Sequence, residues 1–275
     1  MNLKFYKYQG SGNDFVILDN RNGQVGKLTA VQVKKICDRH FGVGADGLML
    51  LEDARGADFK MVYYNADGNL SSMCGNGGRC MVKFANKMKV VDGPCYFVAT
   101  DGSHRARLRN GNVLLGMNNV SSINKDGDAQ ILNTGSPHYV LFVDNIDTIN
   151  VKSEGRKIRN NETYKTEGIN VNFVGQKAAR IYVRTYERGV EDETLSCGTG
   201  VTAAAIAHHA QNIKTDGDFV INVDTSGGSL KAHFNCKDGQ YTKMVLEGPA
   251  EFVFEGEIEN FIPTSSVQKI YTHHL

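Results

Sequence analysis

The sequence predicts an α/β (α+β) protein with two pseudo-symmetric lobes from an internal duplication, each a mostly antiparallel sheet or barrel wrapped around a central helix. One cysteine-containing pattern occurs twice, as SMCGNGGR at residues 72–79 and LSCGTGVT at residues 195–202. Upstream segments align at nearly the same offset, among them GSGNDFVIL at 10–18 over TGSPHYVLF at 134–142. Two unrelated α/β stretches could share such patterns, but glycines, cysteines and helix starts match in the same order, which favours duplication.

Short strand patterns dominate both halves of the chain. Apolar and polar residues alternate over short runs, and glycine turns separate many of the runs, which is typical of hairpins. In chain order, the predicted strands are Lys4–Tyr8, Phe15–Asp19, Gly47–Leu51, Lys60–Tyr64, Tyr96–Thr100, His104–Leu108, Val113–Met117, Tyr139–Asp144, Asn170–Val174, Ala179–Tyr186, Phe219–Asp224, Leu230–Asn235, Thr242–Glu247 and Ala250–Phe254.

Helical patterns are fewer. The predicted helices are Ala30–His40, Asn76–Lys87, a short helix over Ile146–Lys152, and Gly198–Gln211. The last of these is rich in alanine and apolar on nearly every side, which is typical of a buried helix. Each lobe is therefore expected to hold one central helix with a cysteine at its N-terminal end.

The lobe junction is expected near 118–125, a polar stretch without periodicity. We expect an N-terminal lobe of residues 1–118 with 250–275, carrying Cys74, and a C-terminal lobe of residues 119–249, carrying Cys197. The length of 275 residues suits two domains of ordinary size.

Charge and hydropathy exclude several function classes. The net charge of +1 gives no electrostatic footprint for nucleic acid or for an anionic membrane. No apolar run approaches the ~18 residues of a membrane span, and the N-terminus lacks the pattern of a signal peptide. We expect a cytoplasmic protein with a small-molecule partner and no nucleic-acid or membrane partner.

The six cysteines are expected to be reduced thiols, because the composition supports an ordinary core without disulfides. No C-x-x-C pair is present, and the adjacent His208 and His209 point to different faces of a helix, so we expect no metal. The sequence also lacks a convincing lysine site for pyridoxal phosphate, and we expect no cofactor.

Cys74 and Cys197 are the candidate reactive groups. A thiol at a helix N-terminus lies at the positive end of the helix dipole, which stabilises the thiolate. The glycine-rich turns after both cysteines offer backbone N–H groups suited to a carboxylate or phosphate, although an ordinary helix N-cap explains such a turn as well. Two thiols on opposite faces of an α-carbon could remove and return its proton, which inverts the centre without a cofactor.

Three further side chains are candidates for binding an amino acid. Glu187 and Arg188 end a predicted strand shortly before Cys197, where a carboxylate could place an ammonium group and a guanidinium could bind a carboxylate. An exposed ion pair beside a turn is the alternative. His138 stands at the head of a strand, and an ordinary turn histidine explains it equally well.

The chain resembles the diaminopimelate epimerase family through both halves. The resemblance is carried by GSGNDF at 10–15, NADG at 65–68, CGNGGRC at 74–80, YERG at 186–189 and CGTG at 197–200. It implies two pseudo-symmetric lobes, commonly a homodimer, and PLP-independent conversion of LL-2,6-diaminoheptanedioate to the meso form for lysine and peptidoglycan synthesis.

The resemblance also implies roles for single residues. Cys74 and Cys197 would be the two acid–base groups, and His138 and Glu187 would orient the reacting ammonium. The remaining substrate contacts fall into two sets: Gly75, Asn76, Gly198 and Thr199 at the carboxylate of the reacting centre, and Asn13, Asn65, Asn170 and Arg188, largely at the distal amino-acid end.

Two positions depart from part of the family. Some members have Gln in place of Gly47, and many have Asn in place of Ser136, so one substrate contact lacks its amide here. Two other functions stay open on the sequence: a racemase of proline, hydroxyproline or histidine on the same framework, and a redox-sensing amino-acid binder in which Cys74 and Cys197 form a switchable disulfide.

Overall fold

A computed structural model describes residues 1–177 and 179–263. The chain forms two compact units. Unit 1 contains residues 1–113 and the described residues from 250 onward, and unit 2 contains residues 114–249. Residues 264–275 of the expected N-terminal lobe lie outside the described residues.

Strands outnumber helices in both units. The strands are β1 (Leu3–Gly10), β2 (Asn13–Asp19), β3 (Gly47–Glu52), β4 (Phe59–Asn65), β5 (Leu70–Ser71), β6 (Pro94–Ala99), β7 (Gly102–Arg109), β8 (Asn112–Gly116), β9 (Asn124–Asp126), β10 (Ala129–Asn133), β11 (Pro137–Phe142), β12 (Asn170–Lys177), β13 (Arg180–Glu187), β14 (Asp192–Thr194), β15 (Gly217–Thr225), β16 (Gly228–Lys237), β17 (Gln240–Gly248) and β18 (Glu251–Ile258). The α-helices are α1 (Ala30–Cys37), α2 (Gly75–Lys87), α3 (Val151–Arg159) and α4 (Gly198–His208), and a π-helical turn, His209–Ile213, follows α4.

In unit 1, strands surround the buried helix α2. The pairs β1–β2, β3–β4, β4–β5 and β6–β7 are antiparallel, and β2–β3 and β4–β6 are parallel. Strand β18 pairs antiparallel with β1. Helix α2 contacts β1, β2, β3, β7 and β18, and most of its residues are buried.

Unit 2 repeats this order of pairings around α4. The pairs β10–β11, β12–β13, β13–β14 and β15–β16 are antiparallel, and β11–β12 and β13–β15 are parallel. Helix α4 contacts β10 to β13 and β15 to β17, and its alanines pack against apolar strand residues in one core cluster. The predicted fold class is confirmed: each unit is mostly antiparallel sheet with a central helix.

Three helix predictions were inaccurate. Helix α1 ends at Cys37, not His40, because the Asp38 carboxylate accepts hydrogen bonds from the backbone N–H groups of His40 and Phe41 and turns the chain. The helix predicted over 146–152 instead runs from 151 to 159, with the Asn150 side chain capping it. Helix α4 ends at His208, and the π-helical turn replaces its predicted last residues.

The strands β5, β9, β10 and β14 were not predicted. Strands β5, β9 and β14 have only two or three residues, which is too short for an alternating pattern to stand out. Strand β10 has five residues, but its buried and exposed positions do not alternate. None of the helices in the described part of the chain is both long and apolar enough to cross a membrane.

Candidate active site

Cys74 lies at the start of α2 in unit 1. It is the N-cap residue, with extended backbone (φ −89°, ψ 132°), and its carbonyl accepts the first helical hydrogen bond from Gly78 at 2.7 Å. Its thiol donates to Asn13 Oδ1 at 3.6 Å, and Asn76 Nδ2 approaches the same oxygen at 3.4 Å. Three predicted site residues therefore meet at the positive end of this helix.

The amide of Asn13 has a fixed orientation. Its Nδ2 donates to Asp46 Oδ2 at 2.6 Å, and a carboxylate oxygen only accepts, so the Asn13 oxygen must face Cys74. Arg39 binds Asp46 at 2.6 Å and Asp14 at 2.8 Å, which holds this carboxylate in place.

Asp14 connects that group to a buried lysine. Lys7 lies 2.7 Å from Asp14 and also donates to the carbonyl of Gly44. Burial of the Asp14 carboxylate pushes its pKa upward, but hydrogen bonds from Arg39 and Lys7 outweigh this and hold the pKa well below its usual range. The support of Asn13 is therefore an ionised network at neutral pH.

Two further features of unit 1 concern the predicted contacts. Arg79 is fully buried in α2 and donates to Asn76 Oδ1 at 2.9 Å and to the carbonyl of Gly75 at 3.2 Å, which fixes the residues after Cys74.

Asn65 ends β4 opposite Gly47. A Cβ at Gly47 would lie 2.5 Å from the Tyr63 ring, so a side chain such as Gln does not fit this arrangement.

Cys197 starts α4 in unit 2 in the same manner. It is the N-cap residue with extended backbone (φ −116°, ψ 113°), and its carbonyl accepts from Val201 at 2.8 Å. Its Sγ lies 3.4 Å from Thr199 Oγ1. The Thr199 carbonyl accepts from Thr134 at 2.8 Å, which anchors the turn after the cysteine.

Asn170, Ser136 and Arg188 form one cluster in unit 2. Asn170 Nδ2 donates to Ser136 Oγ at 2.8 Å, and Asn170 Oδ1 accepts from the Arg188 backbone N–H at 2.9 Å. The Arg188 guanidinium reaches Ser136 Oγ at 3.4 Å and the carbonyl of Glu167 at 3.0 Å. Ser136, the departure from the family pattern, thus contacts two of the predicted substrate-binding residues.

Glu187 and His138 differ in their surroundings. Glu187 is half-buried at the end of β13 and accepts from Thr194 Oγ1 at 3.0 Å. His138 is completely buried, with Nδ1 3.0 Å from Asn172 Nδ2. Burial, assisted by the positive charge of Arg188, lowers the pKa of His138 to about 3, so its ring is neutral at pH 7.

Asn172, Asp46 and Arg79 were not recognised as site residues from the sequence. Asn172 is fully buried on β12, two residues beyond Asn170, and Gly200 of α4 lies directly against it. The detectable signal was a second asparagine inside an otherwise apolar strand.

The other four cysteines are not at helix starts. Cys37, Cys80, Cys95 and Cys236 are free, and all four are buried. Burial raises the pKa of Cys37 to about 12 and that of Cys95 to about 11, so these thiols stay protonated at neutral pH. No group of three or more His, Cys, Asp or Glu suited to a metal occurs in the part of the chain that the structure describes.

The family model for diaminopimelate epimerase matches this chain twice, over residues 5–132 and 130–253. The chain belongs to the diaminopimelate epimerase family. The two matches place one copy of the family pattern in each half, in agreement with the duplication inferred from the cysteine motifs. Membership makes the chain an isomerase of the epimerase type, as the motifs predicted.

Curated relatives match nearly the whole chain. The diaminopimelate epimerase of Flavobacterium psychrophilum is 50% identical over 258 residues, covering 93% of this chain and 100% of the relative. That of Chlorobaculum tepidum is 42% identical over 259 residues, covering 90% and 98%.

Solved structures share the fold at low identity. A phenazine biosynthesis protein of the PhzF family from Bacillus anthracis superposes with a TM-score of 0.73 at 13% identity, covering 94% of this chain and 99% of that one. A hydroxyproline epimerase from Agrobacterium vitis gives 0.68 at 11% identity, covering 96% and 94%. At these identities the likeness concerns the fold alone.

Proposed function

We propose that this protein epimerises LL-2,6-diaminoheptanedioate to the meso form without pyridoxal phosphate, using Cys74 and Cys197 as two acid–base groups on one α-carbon. The observation that carries the proposal is the placement of both cysteines as N-cap residues of the buried central helices. The chain is also 50% identical in sequence to a diaminopimelate epimerase. The role in lysine and peptidoglycan precursor synthesis follows from that substrate.

The proposed proton transfer needs no other reagent. One cysteine, as thiolate, takes the α-proton; an S–H bond forms, the C–H bond breaks, and its electron pair stays on the α-carbon. The other cysteine, as thiol, gives its proton to the opposite face of that carbon and becomes the thiolate. Each general acid or base of this kind contributes about 10²–10⁴-fold to the rate.

The helix starts supply the electrostatic support for this chemistry. The α-carboxylate gains negative charge as the proton leaves, and N–H groups at a helix N-terminus stabilise such charge. Gly75 and Asn76 on α2, and Gly198 and Thr199 on α4, are the residues that present these groups.

A second polar cluster supports a substrate with two amino-acid ends. Arg188 and Asn170 lie together on Ser136 and provide a guanidinium and an amide, groups that bind a carboxylate. Proline has only one such end. We therefore favour diaminopimelate over proline or hydroxyproline, and assign Asn13, Asn65, Asn170 and Arg188 to substrate binding, largely at the distal end.

Proton exchange in D₂O tests the proposal. Incubation with LL-diaminopimelate should give the meso product with deuterium at one α-carbon. Cys74→Ser and Cys197→Ser should each abolish inversion, whereas Cys80→Ala, which removes a buried thiol from the same helix as Cys74, should retain it. Exchange with proline but not with diaminopimelate would contradict the substrate assignment.

A binding measurement separates the enzyme from a redox-sensing binder. A binder would keep its ligand affinity in both serine variants and show no exchange in any variant, whereas the epimerase loses inversion in both serine variants. A Cys74–Cys197 disulfide after mild oxidation would not distinguish them, because facing thiols of the enzyme could oxidise as well. The homodimer expected from the resemblance stays a prediction, which analytical ultracentrifugation checks.

A further inference from the structure

We propose that Asn172 is a positioning residue that holds His138 in the neutral tautomer with its proton on Nε2, so that His138 meets the substrate as a hydrogen-bond donor. The inference rests on the proposed function only for the identity of the substrate. The tautomer itself follows from hydrogen bonds within unit 2.

The orientation of the Asn172 amide is fixed by its neighbours. Its Nδ2 lies 3.1 Å from the carbonyl oxygen of Tyr139 and 3.5 Å from that of Asn170, and a carbonyl oxygen can only accept. Its Oδ1 accepts from Thr185 Oγ1 at 3.0 Å. The nitrogen, not the oxygen, therefore faces His138 Nδ1.

The amide orientation determines the state of the imidazole. Because Asn172 Nδ2 donates to His138 Nδ1 at 3.0 Å, Nδ1 must be the unprotonated nitrogen. The low pKa keeps the ring neutral, with Arg188 as the charged group that acts on it besides burial. The remaining proton is therefore on Nε2.

The Nε2–H group of His138 is a buried hydrogen-bond donor without an acceptor in the part of the chain that the structure describes. It has no hydrogen-bond partner among the described residues, although the side chain is completely buried. A buried donor without a partner is costly and requires an explanation, such as a ligand that completes it. Among the polar groups of an amino acid at neutral pH, the carboxylate accepts hydrogen bonds and the ammonium only donates.

His138 is thus suited to a substrate carboxylate oxygen. This differs from the role that the family resemblance implied, which was to orient the reacting ammonium. Gly200 of α4 supports the arrangement, because a Cβ there would lie closer than 3.0 Å to Asn172 Oδ1 and would displace the amide.

Long-range ¹H–¹⁵N NMR of histidine-labelled protein measures the tautomer directly. The signals of His138 are assigned by their loss in His138→Gln. We expect the pattern of a neutral Nε2–H imidazole from pH 5.5 to 8, without titration. An Nδ1–H tautomer, or a ring that titrates near pH 6.5, overturns the proposal, and this holds even if the variants below fail to fold.

Asn172→Asp reverses the hydrogen bond. A carboxylate accepts from Nδ1–H, which raises the pKa of His138; the imidazolium still donates from Nε2, but the neutral ring does not. Relative to wild type, kcat/KM should fall as pH rises through the new pKa, by about tenfold or more, the change expected for one hydrogen bond to a charged group. A pH-independent loss indicates a merely structural role and contradicts the proposal.

Thr185→Val is the matched control. It removes the donor to Asn172 Oδ1, but the carbonyls of Tyr139 and Asn170 still accept from Nδ2 and keep it against His138. The tautomer and the pH profile should therefore stay as in wild type. The two proposals fail in different measurements. If the proposed function is wrong, the wild-type protein shows no deuterium exchange with diaminopimelate, while NMR still shows His138 as the Nε2–H tautomer.

Discussion

Gly200→Ala should destabilise the protein, and Gly77→Ala at the equivalent place in the other half should not. Both glycines are the third residue after the N-cap cysteine. At Gly200 the added Cβ would lie closer than 3.0 Å to Asn172 Oδ1 and 3.3 Å from Cys197 Cβ. At Gly77 the nearest atoms are Met49 Sδ at 3.2 Å and Phe15 ring carbons at 3.4 Å.

The magnitude follows from two opposing effects. Alanine favours a helix interior over glycine by about 1 kcal/mol. Overpacking costs about 1–3 kcal/mol in general, and about 2–3 kcal/mol is expected at Gly200 because the obstacle is an amide held by its own hydrogen bonds. The net loss at Gly200 is about 1–2 kcal/mol, whereas the flexible Met49 side chain at Gly77 leaves a change of about 0 to +1 kcal/mol.

Differential scanning calorimetry or circular dichroism checks this pair of variants. With a shift of about 2–4 °C per kcal/mol, Gly200→Ala should lower the Tm by about 2–8 °C and Gly77→Ala should leave it unchanged or raise it by up to about 4 °C. A Gly200→Ala variant as stable as wild type, or an equal loss of Tm in both variants, contradicts this prediction.

Three further outcomes follow from the site. Folding lowers the pKa of His138 from its ordinary 6.5 to about 3, so between these values the folded protein binds fewer protons than the unfolded chain. The free energy of unfolding should therefore drop by about 2 kcal/mol as the pH falls from 8 to 5. In denaturant titrations, His138→Gln should remove this decrease. Asp14 has a depressed pKa, so the stability it provides is present above pH ~3.9 and lost as pH falls further. Acid unfolding followed by fluorescence should therefore depend less steeply on pH in Asp14→Asn than in wild type. An unchanged profile would contradict the assigned ion pairs of Asp14. Ser136→Ala removes the hydroxyl shared by Asn170 and Arg188. It should raise KM about 5-fold with kcat nearly unchanged, which corresponds to a loss of about 1 kcal/mol of binding that is equal in the ground state and the transition state. An equal loss in kcat would place Ser136 in the chemical step instead.

The fold was predictable from the sequence because the duplication is visible as ordered glycines and cysteines. The central helices followed from the same motifs, since a cysteine in extended backbone before Gly-x-Gly begins each of them. Helix ends were less predictable. The end of α1 depends on the Asp38 carboxylate bonding two backbone N–H groups, a local contact that the apolar pattern does not show.

Residues of the candidate site were predictable where they belong to short sequence motifs. Residues that only hold other site residues in place were not. Cys74 with Asn13, and Arg188 with Asn170, came from the family motifs. Asn172 did not, because its contact with His138 is one buried hydrogen bond across parallel strands. No spacing rule connects two residues so far apart in the chain.

The two helix starts share a backbone but not their supporting side chains. Asn76 and a buried arginine follow the first cysteine, whereas Thr199 and Thr202 stand at the equivalent places after the second. The surroundings of each sulfur are therefore encoded separately in the sequence, and a substitution beside one cysteine leaves the residues beside the other unchanged. The repeated architecture thus offers protein engineering two separate places to change the surroundings of a thiol, one beside Cys74 and one beside Cys197.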